Sequence, residues 1–380
     1  MRIAVVTETY PPEVNGVAAT VRHFVDGLAA LGHEVLVTRP RQGPPQHEGD
    51  TRVRETTVAG AGIPRYPGLR FGLPSGRLLR RAWDAFRPDV AYLATEGPLG
   101  WSALRLARAL EIPTASGFHT RFDDFVAHYG FRFLTPIVFA MLRRFHNGTD
   151  TTLVPTEELR AFLDRSRFLR VARLERGVDT QRFDPARRDA ELRRAWGVAD
   201  NELAVLHVGR LAPEKNLALV VRAFDAIAAA RPGARLVWVG DGPARPALER
   251  GHPDHVWCGM QRGEALARHY ASGDVFLFPS ETETFGNVTL EALASGVPVV
   301  AYDYGAAGEY VRDRRNGRLA PLGDAAAFVA ASVDAVADAD ALTAMRTGAR
   351  SAVAHLSQGA VAQRLAALLT SLVETRRNVA

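Results

Sequence analysis

The sequence predicts an α/β protein built from two similar halves, each a parallel sheet with helices on both faces. Three observations carry this reading. Short apolar runs alternate with helical stretches along the chain, the alternation starts afresh near residue 178, and 380 residues with 47% hydrophobic and 23% charged content can bury two cores of ordinary domain size. The same composition excludes a disordered or fibrous chain.

In chain order, residues 2–7 read as a buried strand. Pro11, Pro12, Asn15 and Gly16 then make a loop, and Val17, Val21, Phe24, Leu28 and Leu31 mark one face of a helix that Gly32 ends. A strand over 34–38 follows. Apolar runs at 90–94 and 113–118 alternate with helical stretches over 99–110 and 133–145. The pattern restarts with a strand at 203–208, a helix over 216–230, and strands at 235–239 and 275–278. The last sheet strand is expected at 297–302, with Ala-rich helices over 324–352. Val361, Leu365, Leu368, Leu369 and Leu372 give a terminal amphipathic helix expected to pack back on the first half. The expected domains are therefore 1–177 and 178–357, with 358–380 returning to the first. Two such halves suggest a ligand cleft where the C-terminal ends of the strands converge.

Net charge is +5, with 24 basic and 18 acidic residues up to Gly177 and 23 basic and 24 acidic beyond it. A basic first half suits an anionic substrate or an anionic membrane surface. No Lys/Arg block, aromatic RNA-binding run or zinc finger accompanies it, so nucleic acid is not an expected partner. The N-terminus enters a strand directly, without the apolar segment of a signal peptide. The longest apolar stretch, 134–142, is interrupted by Thr135 and Pro136 and falls short of the ~20 residues a spanning helix needs. One cysteine, Cys258, and the lack of zinc-spaced Cys/His pairs point to a cytoplasmic protein without structural metal.

Of the 47 cationic side chains 46 are arginine, and Lys215 is the single lysine. A compact ammonium meets phosphate as a point charge, which a planar guanidinium reproduces poorly. Lys215 closes the segment Gly209-Arg210-Leu211-Ala212-Pro213-Glu214-Lys215, between an apolar strand and a helix start. Two cations on one loop can offset a diphosphate and make a divalent metal dispensable. The structural alternative is an Arg210–Glu214 ion pair.

A second segment runs Phe278-Pro279-Ser280-Glu281-Thr282-Glu283-Thr284-Phe285-Gly286-Asn287-Val288-Thr289-Leu290-Glu291. Here a strand ends, a polar loop follows and a helix begins near Asn287. Backbone N–H groups at such a helix start suit a phosphate or sugar oxygen. Glu283 and Glu291, seven residues between them, can accept hydrogen bonds from vicinal hydroxyls of one ligand. Neither a dinucleotide fingerprint nor a P-loop is present: Gly60-Ala61-Gly62 and Gly240-Asp241-Gly242 lack the third glycine, and Lys215 has no GxxxxGK frame.

These two segments, together with the Asn15-Gly16 loop and Gly296-Val297-Pro298-Val299-Val300, resemble retaining glycosyltransferases of family GT4, which have the GT-B fold of two Rossmann-like domains. The resemblance covers nearly the whole chain. Thr9-Tyr10-Pro11-Pro12-Glu13-Val14-Asn15-Gly16-Val17, and Arg176-Gly177-Val178-Asp179 with Phe183, are similar to the branch that mannosylates or glycosylates membrane lipids. Many relatives have two glycines where this chain has Asn15-Gly16, and Asn where it has Arg176.

The resemblance implies an N-terminal acceptor domain and a C-terminal nucleotide-sugar domain. It assigns Glu291 to the ribose, and Glu283 with the backbone of Phe285, Gly286, Asn287 and Val288 to the donor sugar. Gly209, Arg210 and Lys215 would hold the diphosphate, Met260 would lie near the base, and Asn15 and Gly16 would complete the donor site. His119 would face sugar and acceptor, and His119, Arg210, Lys215 and Glu283 form the implied catalytic set. From the residues alone, His119 is equally readable as a satisfied buried histidine.

The expected activity is transfer of a hexosyl group, mannose or glucose type, from a nucleotide-diphosphate sugar to a hydroxyl of a membrane glycolipid precursor, with neither cofactor nor metal. A sugar-nucleotide epimerase and a non-catalytic sugar-nucleotide-binding protein are the rival readings. A pyridoxal phosphate phosphorylase would have only Lys215 for its Schiff base. Asp123-Asp124 and Asp338-Ala339-Asp340 resemble a metal-binding DxD only superficially. The apolar, arginine-flanked stretch 131–145 reads either as a core or inter-domain helix or as a face for peripheral docking on the inner surface of the cell membrane.

Overall fold

Apolar runs too short for helices and too continuous for a half-solvated sheet become the central strands of two parallel sheets, buried on both faces. The computed structural model describes residues 1–13, 15–47, 49–63, 66–119 and 135–379. They divide into two compact units, Met1–Gly177 with Gln358–Ala380, and Val178–Ser357.

In the first unit the chain runs β1 (Arg2–Val6), α1 (Gly16–Ala30), β2 (Glu34–Pro40), β3 (Val53–Val58), β4 (Gly60–Ile63), β5 (Tyr66–Gly72), α2 (Gly76–Phe86), β6 (Val90–Leu93), α3 (Pro98–Ala109), β7 (Thr114–Gly117), α4 (Thr135–His146), β8 (Thr151–Val154), α5 (Glu157–Arg165) and β9 (Val171–Arg173). The sheet order is β3-β2-β1-β6-β7-β8-β9, with every pairing parallel, while β4 and β5 form a separate antiparallel hairpin. Asn15 starts α1 by accepting from the Ala18 N–H at 2.8 Å, and Gly32, at φ 88°, supplies the left-handed residue that ends it. The helix expected over 133–145 runs from Thr135. Residues 120–134, with Asp123, Asp124 and the start of the stretch 131–145, lie outside the described residues, as does Val14.

The second unit comprises α6 (Ala190–Ala195), β10 (Ala204–Val208), α7 (Leu217–Ala230), β11 (Arg235–Val239), α8 (Arg245–Gly251), β12 (Val256–Trp257), α9 (Gly263–Ser272), β13 (Val275–Phe278), α10 (Asn287–Ala294), β14 (Val299–Tyr302), α11 (Gly305–Tyr310), β15 (Gly317–Ala320), α12 (Ala325–Ala337) and α13 (Ala339–Val353). Its order is β12-β11-β10-β13-β14-β15, again parallel throughout. The expectation that residues 297–302 form the last strand is corrected by β15, which pairs beyond β14. An edge strand needs no apolar run, and Gly-Arg-Leu-Ala hides its polar member by pairing Arg318 with Asp313 at 2.8 Å. Asp338 of the DxD-like stretch caps α13, accepting from Ala341 N–H at 2.7 Å.

After the second unit, α14 (Gln358–Val379) returns to the first. Val361, Leu365, Leu369 and Val373 join Val21, Phe24, Val25 and Leu28 of α1 in one core. The approach is close: a Cβ at Gly27 would stand 2.4 Å from the Ala362 Cβ. This returning helix brings Arg364, Arg376 and Arg377 against the single acid Glu374, so it adds to the first unit's positive excess.

Candidate active site

Strand order fixes where loops can gather. In the second sheet the chain proceeds outward from β10 in one direction, then resumes at β13 on its other side, so the loops leaving these two strands flank a topological switch point, where open α/β sheets bind ligands. Those loops are the two segments singled out in the sequence. Gly209 and Gly240, which follow β10 and β11, have φ of 148° and 141°, and a Cβ on Gly240 would stand 1.9 Å from the Gly209 carbonyl oxygen. These glycines serve a close crossing of two strand-end loops rather than a dinucleotide turn.

Past Gly209, a single turn, Pro213–Lys215, ends at Asn216 in the left-handed region and hands the chain to α7. That turn aims Lys215 at the other loop. Its ammonium donates to Glu283 Oε1, lies 3.4 Å from Ser280 Oγ and stands 5.7 Å from the centre of the Phe278 ring. Ser280 Oγ donates to the same Glu283 oxygen at 2.9 Å, and Tyr304 Oη donates to the Ser280 carbonyl at 2.6 Å. Arg210 takes the structural alternative, 3.7 Å from Glu214 with 53% of its side chain exposed. The two cations thus face different carboxylates.

Gly286, at φ 95°, is the N-cap of α10 and itself has no side chain to cap that helix. The first turn, from Asn287 and Val288, begins where Phe285 is buried and its carbonyl accepts from Ala306 N–H at 2.7 Å. Glu291 lies in the next turn and accepts from Tyr270 Oη at 3.0 Å. Burial pushes its carboxyl up to about 7, against the pull of the Tyr270 bond and Arg182. Met260 is half exposed after Gly259.

The first unit has its own switch point between β1 and β6. Asn15 both caps α1 and donates to Thr9 Oγ1 at 2.8 Å, and Gly16 opens the helix. Glu8, just beyond β1, accepts from the Gly72 N–H and, at 2.8 Å, from Leu99 N–H, tying the β4–β5 hairpin to the start of α3. Glu8 N–H donates to Thr95 Oγ1 at 2.7 Å. The neighbouring Glu96 is buried, and burial with the Glu8 charge pushes its carboxyl up to about 8. His119, beyond β7, is buried, with Nε2 2.7 Å from Tyr92 Oη. Among the described residues no group of His, Cys, Asp and Glu could hold a metal ion.

A sequence profile of Glycosyltransferase Family 4 matches residues 14–182, and one of glycosyl transferases group 1 matches 202–338. A GDP-mannose-dependent alpha-mannosyltransferase of Mycolicibacterium smegmatis is 40% identical over 322 residues, 84% of each chain. The chain belongs to glycosyltransferase family 4. An alpha-monoglucosyldiacylglycerol synthase of Acholeplasma laidlawii is 28% identical over 83% of this chain and 84% of its own. The solved sucrose-phosphate synthase of Thermosynechococcus elongatus superimposes with a TM-score of 0.80 at 19% identity, covering 98% of this chain and 99% of its own, so the fold is GT-B.

As a family 4 glycosyltransferase, the protein is a hexosyltransferase that draws on a nucleotide-sugar donor. In the second unit a cation, a hydroxyl, two carboxylates and a glycine-led helix start gather around one switch point. Sequence reading missed Ser280 and Tyr270, which hold Glu283 and Glu291, and in the first unit it missed Glu8, Tyr92 and Glu96. Glu8 and Glu96 had a signal, since each follows a strand's apolar run by a few residues. Tyr92 had none, being one apolar-looking member of a buried strand.

Proposed function

We propose that this hexosyltransferase moves a mannosyl group, with retention of anomeric configuration, from GDP-mannose to a hydroxyl of a membrane glycolipid precursor. The carrying observation is the cluster of Lys215, Ser280 and Glu283 beside the glycine-led start of α10, in a chain 40% identical to a GDP-mannose-dependent alpha-mannosyltransferase. In this reading the second unit is the donor domain. Arg210, Lys215 and the backbone of Gly209 hold the diphosphate, Glu291 the ribose, Met260 the base, and Glu283 with Phe285, Gly286, Asn287 and Val288 the sugar. The first unit is the acceptor domain, with Asn15, Gly16 and His119 at the reaction centre.

Charge on the departing diphosphate grows as the sugar acquires oxocarbenium character. Fixed donors aimed at that charge lower the barrier most when they need no reorganisation. Lys215, Arg210 and the α10 N–H groups supply them, which removes the need for a divalent ion or another cofactor. The lipid acceptor is supported by the relative named for monoglucosyldiacylglycerol synthesis. Peripheral association with the inner face of the cell membrane fits the same acceptor. Among the described residues no helix is long and apolar enough to cross a membrane, and α4 exposes Ile137 and Met141.

The test is incubation of the protein with membrane lipids and either GDP-mannose or UDP-glucose, with mass spectrometry of the lipids and NMR of the new anomeric centre. A lipid heavier by one hexose, α-linked and formed from GDP-mannose, is expected. Donor consumption without any glycosylated product would overturn the reading.

A further inference from the structure

His119 is held from two sides. Its Nε2 lies 2.7 Å from Tyr92 Oη, and its Nδ1 lies 3.5 Å from Arg176 Nη2, which stands equally far from the His119 carbonyl oxygen. A guanidinium has donors only, so the nitrogen facing it carries a lone pair. A neutral imidazole with its lone pair on Nδ1 bears its proton on Nε2, and that N–H donates to the Tyr92 oxygen. The bond needs room that the backbone beneath it provides. A Cβ built on Gly117 would stand 2.4 Å from both His119 Nε2 and Tyr92 Oη. Tyr92 is wholly buried in β6 and packs edge-on to the imidazole, with ring centres 6.4 Å apart.

We propose that Tyr92 and Arg176, seated over Gly117, are positioning residues that fix His119 as its Nε2–H tautomer with both ring nitrogens engaged. The inference rests on the placement of His119 at the reaction centre proposed above. It assigns a use to Arg176, one of the points where the chain departs from its family pattern. It also restricts what His119 can do: with one nitrogen donating to Tyr92 and the other turned to a cation, the ring offers the acceptor hydroxyl no free lone pair. The charged and titratable groups acting on the ring agree. Burial first, then Arg176 and His146, disfavour its protonation.

The test reads the ring itself. Two-bond ¹⁵N–¹H correlation spectra of the full chain, labelled on its 11 histidines, are recorded between about pH 5 and 8, with His119→Asn identifying the signal. The wild type is expected to show a neutral Nε2–H tautomer throughout. Arg176→Met should bring in the Nδ1–H form or protonation within that range, whereas Arg176→Lys should keep the wild-type pattern. An Nδ1–H tautomer in the wild type, or an unchanged pattern in Arg176→Met, would overturn the inference. Should Arg176→Met not fold, the wild-type spectrum decides alone. Transfer assays separate this from the functional reading: Tyr92→Phe should lower kcat by about tenfold or more with little change in the donor KM. Unchanged kcat beside the expected spectra would refute the placement of His119 at the reaction centre and leave the tautomer assignment standing.

Discussion

The Lys215 ammonium and the Glu283 carboxylate are paired with each other, 16% and 17% exposed, across the crevice between β10 and β13. The only lysine of the chain therefore joins the two loops implied in donor binding. Because Ser280 shares the same carboxylate oxygen, the cation is held at one point and not merely drawn into the region.

Replacing Lys215 with Ala is expected to reduce transfer by roughly 10² to 10³, the scale for loss of one stabiliser of transition-state charge. Lys215→Arg should not restore it, since a planar fork cannot occupy the position of an ammonium wedged between Ser280, Glu283 and the Phe278 ring. Steady-state rates with saturating donor check both; full activity in the arginine variant would refute the point-charge argument.

Arg210→Ala should lose transfer on a similar scale while leaving the fold intact, because its ion pair with Glu214 is long and half exposed and contributes about 1 kcal/mol or less to stability. Thermal unfolding beside rate measurement separates the two effects. A variant that transfers normally would remove Arg210 from the diphosphate site.

Glu291→Gln should weaken binding of free GDP, whereas Glu283→Gln should mainly impair recognition of the sugar. Ribose hydroxyls donate to a carboxylate, so a Glu291 carboxyl pushed up to about 7 must lose its proton as nucleotide binds near neutrality. Affinity should rise as pH increases through about 7, and calorimetry in buffers of different ionisation enthalpy should show a proton released, an effect absent in Glu291→Gln. Equal loss of free nucleotide by both variants would contradict the division of roles.

Glu96 contributes to the pH dependence of stability. Its folded value, up to about 8, exceeds the usual carboxyl value of 4.5. Between those two values the native state keeps a proton that the unfolded chain has released, so stability falls as pH rises across that window. Glu96→Gln, always neutral, should show a shallower decline over the same range in urea titrations. A parallel decline in both proteins would locate the pH dependence elsewhere.

Docking on anionic lipid is expected through α4. Ile137 and Met141, 67% and 50% exposed, sit one turn apart on a helix whose Leu142 and Phe145 face inward and whose last turn carries Arg143 and Arg144. Binding to anionic vesicles should weaken as salt rises, because exposed charges are screened over roughly 8 to 10 Å near physiological ionic strength. The pair Ile137→Glu and Met141→Glu should weaken it further. Vesicle sedimentation showing equal binding to neutral and anionic lipid would rule out a charged docking face.

The sequence by itself determined β1, β2, β6 and β7 of the first sheet, β10, β11, β13 and β14 of the second, the helices α1, α3, α4, α7, α10 and α12 to α14, and the two segments proposed for the donor. Buried parallel strands read as unbroken apolar runs, and loops at their ends are written in glycine, proline and charge. The edge strands β3, β9, β12 and β15 escaped, because a strand with one neighbour can keep polar residues, and so did the interior β8, whose Thr-Thr-Leu-Val is half polar. Tertiary structure alone decided the partners. That Lys215 meets Glu283, while Arg210 turns to Glu214, depends on β10 and β13 being neighbours although 66 residues separate Val208 from Val275. That His119 is held between Tyr92 and Arg176 depends likewise on β6 lying beside β7, and on a glycine leaving room for the bond. Local propensity specifies which residues form an element. Which side chains share a site follows from strand order, and strand order is set by packing among residues far apart in the chain.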